Sequence, residues 1–274
     1  MPSVALLGIP YDASSSFQRG AGAAPGPIRA ALWSPASSTW SELGADLSAG
    51  GLTDAGDLAF EEGEPGEVAR ARIEAASDRL AESGLRALSL GGDHSITYPL
   101  LRGLRRHHSR LAVVHLDAHG DLYDEFEGDR YSHACPFARI MEEGLADRLV
   151  QVGPRTLNRH QREQARRFGV ELIEMKDWRD GLELRLDGPV YLTFDLDVLE
   201  PGLVPGISHR EPGGLTVRQA IGIVQQFTGT LVAADLVEFN PANDTGGVTA
   251  AVCGKLVKEI AGRMLIESEG GSHR

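Results

Sequence analysis

The chain has two cysteines in 274 residues, Cys135 and Cys253. So few, so far apart, exclude a disulfide framework and a thiolate zinc motif, and a reducing cytosol is the default. No apolar run approaches the length of a membrane span. The first residues, 1–8, turn apolar at once, without a basic leader region or a small-residue cleavage site. A soluble, cytoplasmic protein is expected. Positive charge is in deficit, with 27 Lys and Arg against 39 Asp and Glu and a net charge of -12. That balance argues against a nucleic-acid surface and is compatible with a small cationic substrate. There is no internal repeat and no linker rich in Pro, Gly or Ser, so one domain is expected over residues 1–274. The composition, 42% hydrophobic and 24% charged, is ordinary for a globular protein.

What the sequence does contain is a regular alternation. Apolar runs of strand length occur at 4–9, 87–90, 111–116, 149–153, 170–173, 190–194 and 231–236. They are continuous rather than alternating, as in parallel strands buried on both faces. Helical patterns lie among them. One spans 67–83 and stops at Gly84, and one spans 159–168 and stops at Gly169. Another, 217–227, follows Thr216 as N-cap, and a last one spans 248–265. The pattern predicts a three-layer α/β/α fold with a mostly parallel central sheet. The Gly- and Pro-dense stretches 20–27 and 201–214 read as long functional loops, and 267–274 as a frayed tail.

Four of the strands run directly into acids and imidazoles. The run 87–90 leads to Asp93 and His94, and 111–116 leads to Asp117, His119 and Asp121. The run 190–194 leads to Asp195 and Asp197, and 231–236 leads to Glu238. Ligands of open α/β sheets bind outside the carboxyl ends of the strands, so these groups face one edge. Residues two apart in extended chain point to the same side, which lets each cluster converge. A single strand-end Asp is usually a loop residue or a helix cap, and a lone Asp-x-Asp is weak. Three clusters in one chain are much harder to obtain by chance. Four carboxylates in one pocket raise one another's pKa unless cations balance them. Two divalent ions would do so, and oxygen-rich ligation with some imidazole favours Mn²⁺.

The segments Gly91-Gly92-Asp93-His94-Ser95, Asp117-Ala118-His119-Gly120-Asp121 and Asp195-Leu196-Asp197-Val198-Leu199-Glu200-Pro201 resemble the three metal-binding signatures of the arginase/agmatinase (ureohydrolase) superfamily. Pro212-Gly213-Gly214-Leu215-Thr216 and Asp235-Leu236-Val237-Glu238-Phe239-Asn240-Pro241 extend the resemblance over nearly the whole chain. It implies an arginase-like fold and hydrolysis of a guanidino compound to an amine and urea. It also implies a homo-oligomer, commonly a trimer or hexamer, and two Mn²⁺ held by His94, Asp117, His119, Asp121, Asp195 and Asp197. Two metal ions lower the pKa of a shared water enough to give hydroxide near neutrality. His133 stands where the family places a proton-shuttling histidine, and Glu238 where it places the carboxylate that pairs with the guanidinium. Asp93 is a candidate for orienting the imidazole of His94. Cys135, beside His133, has nothing in the sequence to activate it and reads as packing.

Departures from the signatures bear on the substrate. Leu122-Tyr123 follows Asp121 where arginases carry an Asn, and Asp-x-Tyr resembles the agmatinase branch. His133-Ala134-Cys135-Pro136-Phe137 also resembles that branch. Agmatine is therefore the expected substrate, with guanidino acids, arginine and formimino compounds as alternatives. Ser208-His209-Arg210-Glu211 replaces the usual Gly-Thr-Pro-Glu and could place a cation at the mouth. A non-catalytic binder of a cationic ligand is the rival from another class, but it would have no use for a proton shuttle.

Overall fold

The structure, a computed structural model, describes residues 3–270. In chain order the strands are β1 (Val4–Gly8), β2 (Leu52–Asp57), β3 (Arg86–Leu90), β4 (Ala112–Leu116), β5 (Arg148–Val152), β6 (Glu171–Ile173), β7 (Pro189–Asp195) and β8 (Thr230–Val237). The helices are α1 (Pro25–Leu32), α2 (Gly66–Glu82), α3 (Thr97–Leu104), α4 (Pro136–Glu142), α5 (Arg159–Phe168), α6 (Val217–Gln226) and α7 (Val248–Gly270). All strand pairings are parallel, in the order β2-β1-β3-β8-β7-β4-β5-β6.

Both faces of the sheet are covered. Alternate strand residues such as Leu88, Val114 and Leu192 pack with Ile28 of α1, Ile221 of α6 and Ile260 of α7. Their neighbours Val113 and Tyr191 pack on the other side with Ile73 of α2, Leu101 of α3 and Phe137 of α4. Two apolar faces explain the unbroken hydrophobic runs of the inner strands. No helix among the described residues is long and apolar enough to cross a membrane.

The seven expected strands and four expected helices are present within a residue or two, apart from the end of α7. That helix runs to Gly270, so the tail expected from 267 is helical over its first part, and 271–274 lie outside the described residues. α5 and α6 open with capping boxes, Asn158 with Gln161 and Thr216 with Gln219. Gly169 closes α5 at φ 66°.

Four elements were not foreseen. β2 is an edge strand of sequence LTDAGD and lacks an apolar run because it pairs only with β1. Its Asp54 and Asp57 bind Arg29 of α1 instead of packing into a core. α1, α3 and α4 have eight, eight and seven residues, too short for a helical period to emerge.

The consequence for the site lies in the strand order. β3 and β4 are consecutive among the strands, yet β8 and β7 sit between them. The four strands that end in acids and imidazoles are therefore the four adjacent strands at the centre of the sheet.

Candidate metal centre and its pocket

Each loop beyond these strands is locked by its own polar groups. Asp195 Oδ1 accepts from the amide of Asp197 at 2.8 Å, and Asp197 Oδ1 accepts from the amide of Ala118 at 3.0 Å. The loops after β7 and β4 are thereby tied together. Asp121 and Glu238 both hold left-handed backbone, at φ 45° and 64°. That conformation is costly for a side chain with a Cβ and persists only where the surroundings impose it. Here the amide of Phe137 donates to Asp121 O at 3.2 Å, and the amide of Glu238 donates to Gly92 O at 2.9 Å.

The side chains converge on two points. Nδ1 of His94 lies 3.2 Å from Asp117 Oδ2, 3.1 Å from Asp121 Oδ2 and 3.2 Å from Asp195 Oδ2. It is buried and, among the described residues, makes no hydrogen bond. Nδ1 of His119 lies 2.9 Å from Asp197 Oδ2 and 3.3 Å from Asp117 Oδ1. Asp117 thus offers one oxygen to each histidine. A divalent ion with bonds of ~2.1 Å at right angles sets its ligand atoms roughly 3.0 Å apart. Three oxygens around one unsatisfied nitrogen at that spacing fit a cation site, and Asp117, His119 and Asp197 form a second ligand group beside it. All six metal-ligand candidates of the sequence are brought together.

Electrostatics agree with the geometry. Burial lowers the His94 pKa, but Asp117, Asp121 and Asp195 outweigh it and hold the imidazole well above its ordinary value. Burial, then Asp197 and Asp117, drive Asp195 well above the carboxylate range. Positive charge beside Asp195 would offset that penalty, which suits a cation site.

A pocket opens over this centre, lined by Ser16, His119, Asp121, Tyr123, Phe126, His133, Thr156, Gln161, Asp195, Asp197, His209 and Glu238, among others. His133 Nδ1 lies 3.0 Å from Glu238 Oε1, which also accepts from the amide of His94 at 3.0 Å. The amide of Ser16 donates to His133 Nε2 at 3.2 Å, so the neutral ring carries its proton on Nδ1 and directs it at Glu238. Burial lowers the His133 pKa, yet the Glu238 carboxylate outweighs it and brings it up to about 9.

A profile of the arginase family matches residues 2–262. The chain belongs to that family. It is a binuclear-metal ureohydrolase, a hydrolase of amidine C–N bonds. Arginase 1, mitochondrial, of Arabidopsis thaliana is 44% identical over 277 residues, covering 96% of this chain and 81% of the relative. A guanidinobutyrase of Pseudomonas aeruginosa is 34% identical over 270 residues, covering 93% of this chain and 84% of its own. Among solved structures, the arginase from Medicago truncatula superposes with a TM-score of 0.92 at 40% identity, covering 96% of this chain and 87% of that one.

Some residues of this site are not apparent from the sequence. His115, inside β4, sets Nε2 2.7 Å from Asp117 Oδ2 and receives the Gln151 side-chain amide on Nδ1 at 3.0 Å. It supports Asp117 from behind and is stacked on Phe137. Thr193 Oγ1 lies 2.9 Å from His94 Nε2, so Thr193, not Asp93, orients that imidazole. Asp93 instead accepts from the amides of Ser95 and Ser14, and so steadies the segment that carries Ser16. Cys135 is fully buried with its thiol pushed up to about 12 by burial and Asp121, which suits packing and not nucleophilic attack.

Proposed function

We propose that this chain is an arginase, hydrolysing L-arginine to ornithine and urea, with two Mn²⁺ held by His94, Asp117, His119, Asp121, Asp195 and Asp197. The single observation that carries the substrate is the wall of the pocket. Its carboxylates, Asp121, Asp195, Asp197 and Glu238, lie at the metal end, while Ser16, Tyr123, Thr156 and Gln161 line the rest with hydroxyls and an amide. An ammonium tail such as agmatine's would call for an outer carboxylate, and a carboxylate tail for an outer guanidinium. A zwitterionic tail is suited to hydroxyls and amides.

Tyr123 had favoured agmatine. Its hydroxyl accepts from Asn158 Nδ2 at 2.7 Å and its ring stacks on His160, so it is a strut of the wall more than a reader of the tail. Arg210 is absent from the lining and donates to Pro205 O at 3.1 Å, which weakens the guanidino-acid alternative. The higher identity to an arginase than to a guanidinobutyrase supports the same ordering.

The ions, held by the six ligands above, would supply a water acidic enough to serve as hydroxide near neutral pH. The chain's residues do the rest. Both hydrogen bonds to Glu238 fall on Oε1, which leaves Oε2 to pair with the guanidinium and aim its carbon at the metal end. His133 supplies a proton to the departing amine as the C–N bond breaks, and regains one from solvent along Ser16, whose Oγ lies 2.8 Å from Nε2. Assembly into a trimer or hexamer belongs to the same proposal, and light scattering tests it.

Urea release from Mn²⁺-loaded protein, compared over L-arginine, agmatine and 4-guanidinobutyrate, is the test. The highest kcat/KM is expected for arginine, with little change in Arg210→Ala. A preference for agmatine restores the agmatinase reading. A preference for guanidinobutyrate that collapses in Arg210→Ala makes the protein a guanidino-acid hydrolase.

A further inference from the structure

His209 has no part in the reading above beyond lining the pocket, yet it stands in an unusual place. Its ring centroid is 5.2 Å from that of His133 and 5.8 Å from that of His119, with Phe17 packed behind it at 5.6 Å. His133, His209 and Glu238 each offer a ligand atom, and these atoms all lie within 4.8 Å of one another. This group shares no residue with the six proposed Mn²⁺ ligands. It faces the pocket, and His209 is only half-buried, so an ion can reach it from solvent.

We propose that His133, His209 and Glu238 form a third metal site inside the pocket, beside the inner centre, selective for Zn²⁺ over Mn²⁺, whose occupation inhibits the enzyme. The donor chemistry sets the selectivity. Two imidazoles with one carboxylate are a zinc-type set that leaves a fourth position for water, whereas the inner centre is dominated by carboxylate oxygens. Imidazole-rich sites bind Zn²⁺ above Mn²⁺ in the general order of divalent affinities. Ligand atoms of a tetrahedral zinc site stand roughly 3.4 Å apart, so an adjustment of about an ångström by His209 closes the ring. His209 sits on a loop, in the segment 201–214, where such an adjustment is cheap.

The inhibition follows from what the ion would take. On the reading that Glu238 pairs with the guanidinium and His133 carries the proton, one Zn²⁺ would bind both and displace the His133 proton to solvent. Zinc and substrate would compete for Glu238, so zinc should raise KM before it lowers kcat.

Two measurements test this. Mn²⁺-loaded protein is dialysed against micromolar Zn²⁺ with excess Mn²⁺, and bound metal is counted by elemental analysis. The expected result is one Zn²⁺ added per chain with the Mn²⁺ content unchanged, and no added Zn²⁺ in His209→Asn or His209→Gln. This count needs no turnover, so it stands apart from whether arginine is the substrate. In the second, zinc inhibition of urea release is titrated, and the half-inhibiting concentration should rise at least tenfold in either variant relative to its own uninhibited rate. Zinc that displaces Mn²⁺ one for one, wild-type protein that retains no extra zinc, or variants as zinc-sensitive as the wild type would each overturn the proposal.

Discussion

His133 and Glu238 share one hydrogen bond but have different duties, and single substitutions should separate them. In His133→Asn, turnover is expected to fall by roughly 10²–10⁴-fold, the usual value of a general acid, with bound Mn²⁺ unchanged. In Glu238→Gln the larger effect should fall on KM, because a carboxylate that holds the guanidinium is removed. Metal analysis beside steady-state kinetics checks both, and loss of metal in either variant would mean that the residue was misassigned. His115 makes a different prediction. It touches Asp117 and not the pocket, so His115→Ala should weaken Mn²⁺ affinity by roughly 10–100-fold while saturating Mn²⁺ restores most of the turnover. A Mn²⁺ titration of activity decides. The proposed ligands were legible because they sit in short runs at strand ends, all but His94 two residues apart. His115, Gln151 and Thr193 were not, since a polar residue inside an apolar strand looks like an interruption until its partner elsewhere in the chain is known. Their pairings, His115 with Gln151 across β4 and β5 and Thr193 with His94, join distant parts of the chain.

Two glycines in helices show how an element's surroundings reverse the effect of one substitution. A Cβ on Gly103 of α3 would lie 2.4 Å from the backbone oxygen of Glu74 and 2.8 Å from the amide nitrogen of Asp78, both in α2. Backbone cannot yield as a side-chain end can, so Gly103→Ala should destabilise by about 1–3 kcal/mol as α3 is pushed off α2. A Cβ on Gly222 of α6 would meet nothing within 4 Å. Gly222→Ala should stabilise by about 0.5–1 kcal/mol, through helix propensity alone. Denaturant melts of the two variants should move in opposite directions, and shifts of the same sign would contradict this packing. The helix α6 was legible from its cap and period, but the contact that makes Gly103 necessary was not. α3 is buried along most of its length, so its sequence shows no polar face to betray a helix.

At the scale of the whole molecule, the cation centre sits at the C-terminal edge of β3, β8, β7 and β4 and ties their loops together. Ions bound there favour the folded state by mass action. Removing Mn²⁺ with a chelator should therefore lower Tm, and Mn²⁺ returned at 100 times its dissociation constant should recover about 2.7 kcal/mol per site. A calorimetric scan with and without chelator checks this, and equal Tm values would remove the ions from any structural role. The layered α/β architecture was legible because strand and helix patterns alternate along the chain. The strand order was not, because nothing local in 230–237 says that β8 belongs between β3 and β7.

That insertion has a consequence for how the protein is made. A ribosome releases β3 and β7 long before β8, and until then each presents an inner edge of unpaired amides and carbonyls, flanked by apolar side chains. The sheet cannot be finished from one end towards the other. Its central seam closes only once β8 has emerged, a long-range pairing that is slow to form and exposed to misassembly meanwhile. A chain ended at Gly229 keeps seven of the eight strands and all six proposed Mn²⁺ ligands, yet it should be recovered as aggregate. Soluble, monodisperse material from such a truncation would show that the two halves can seal without their keystone strand.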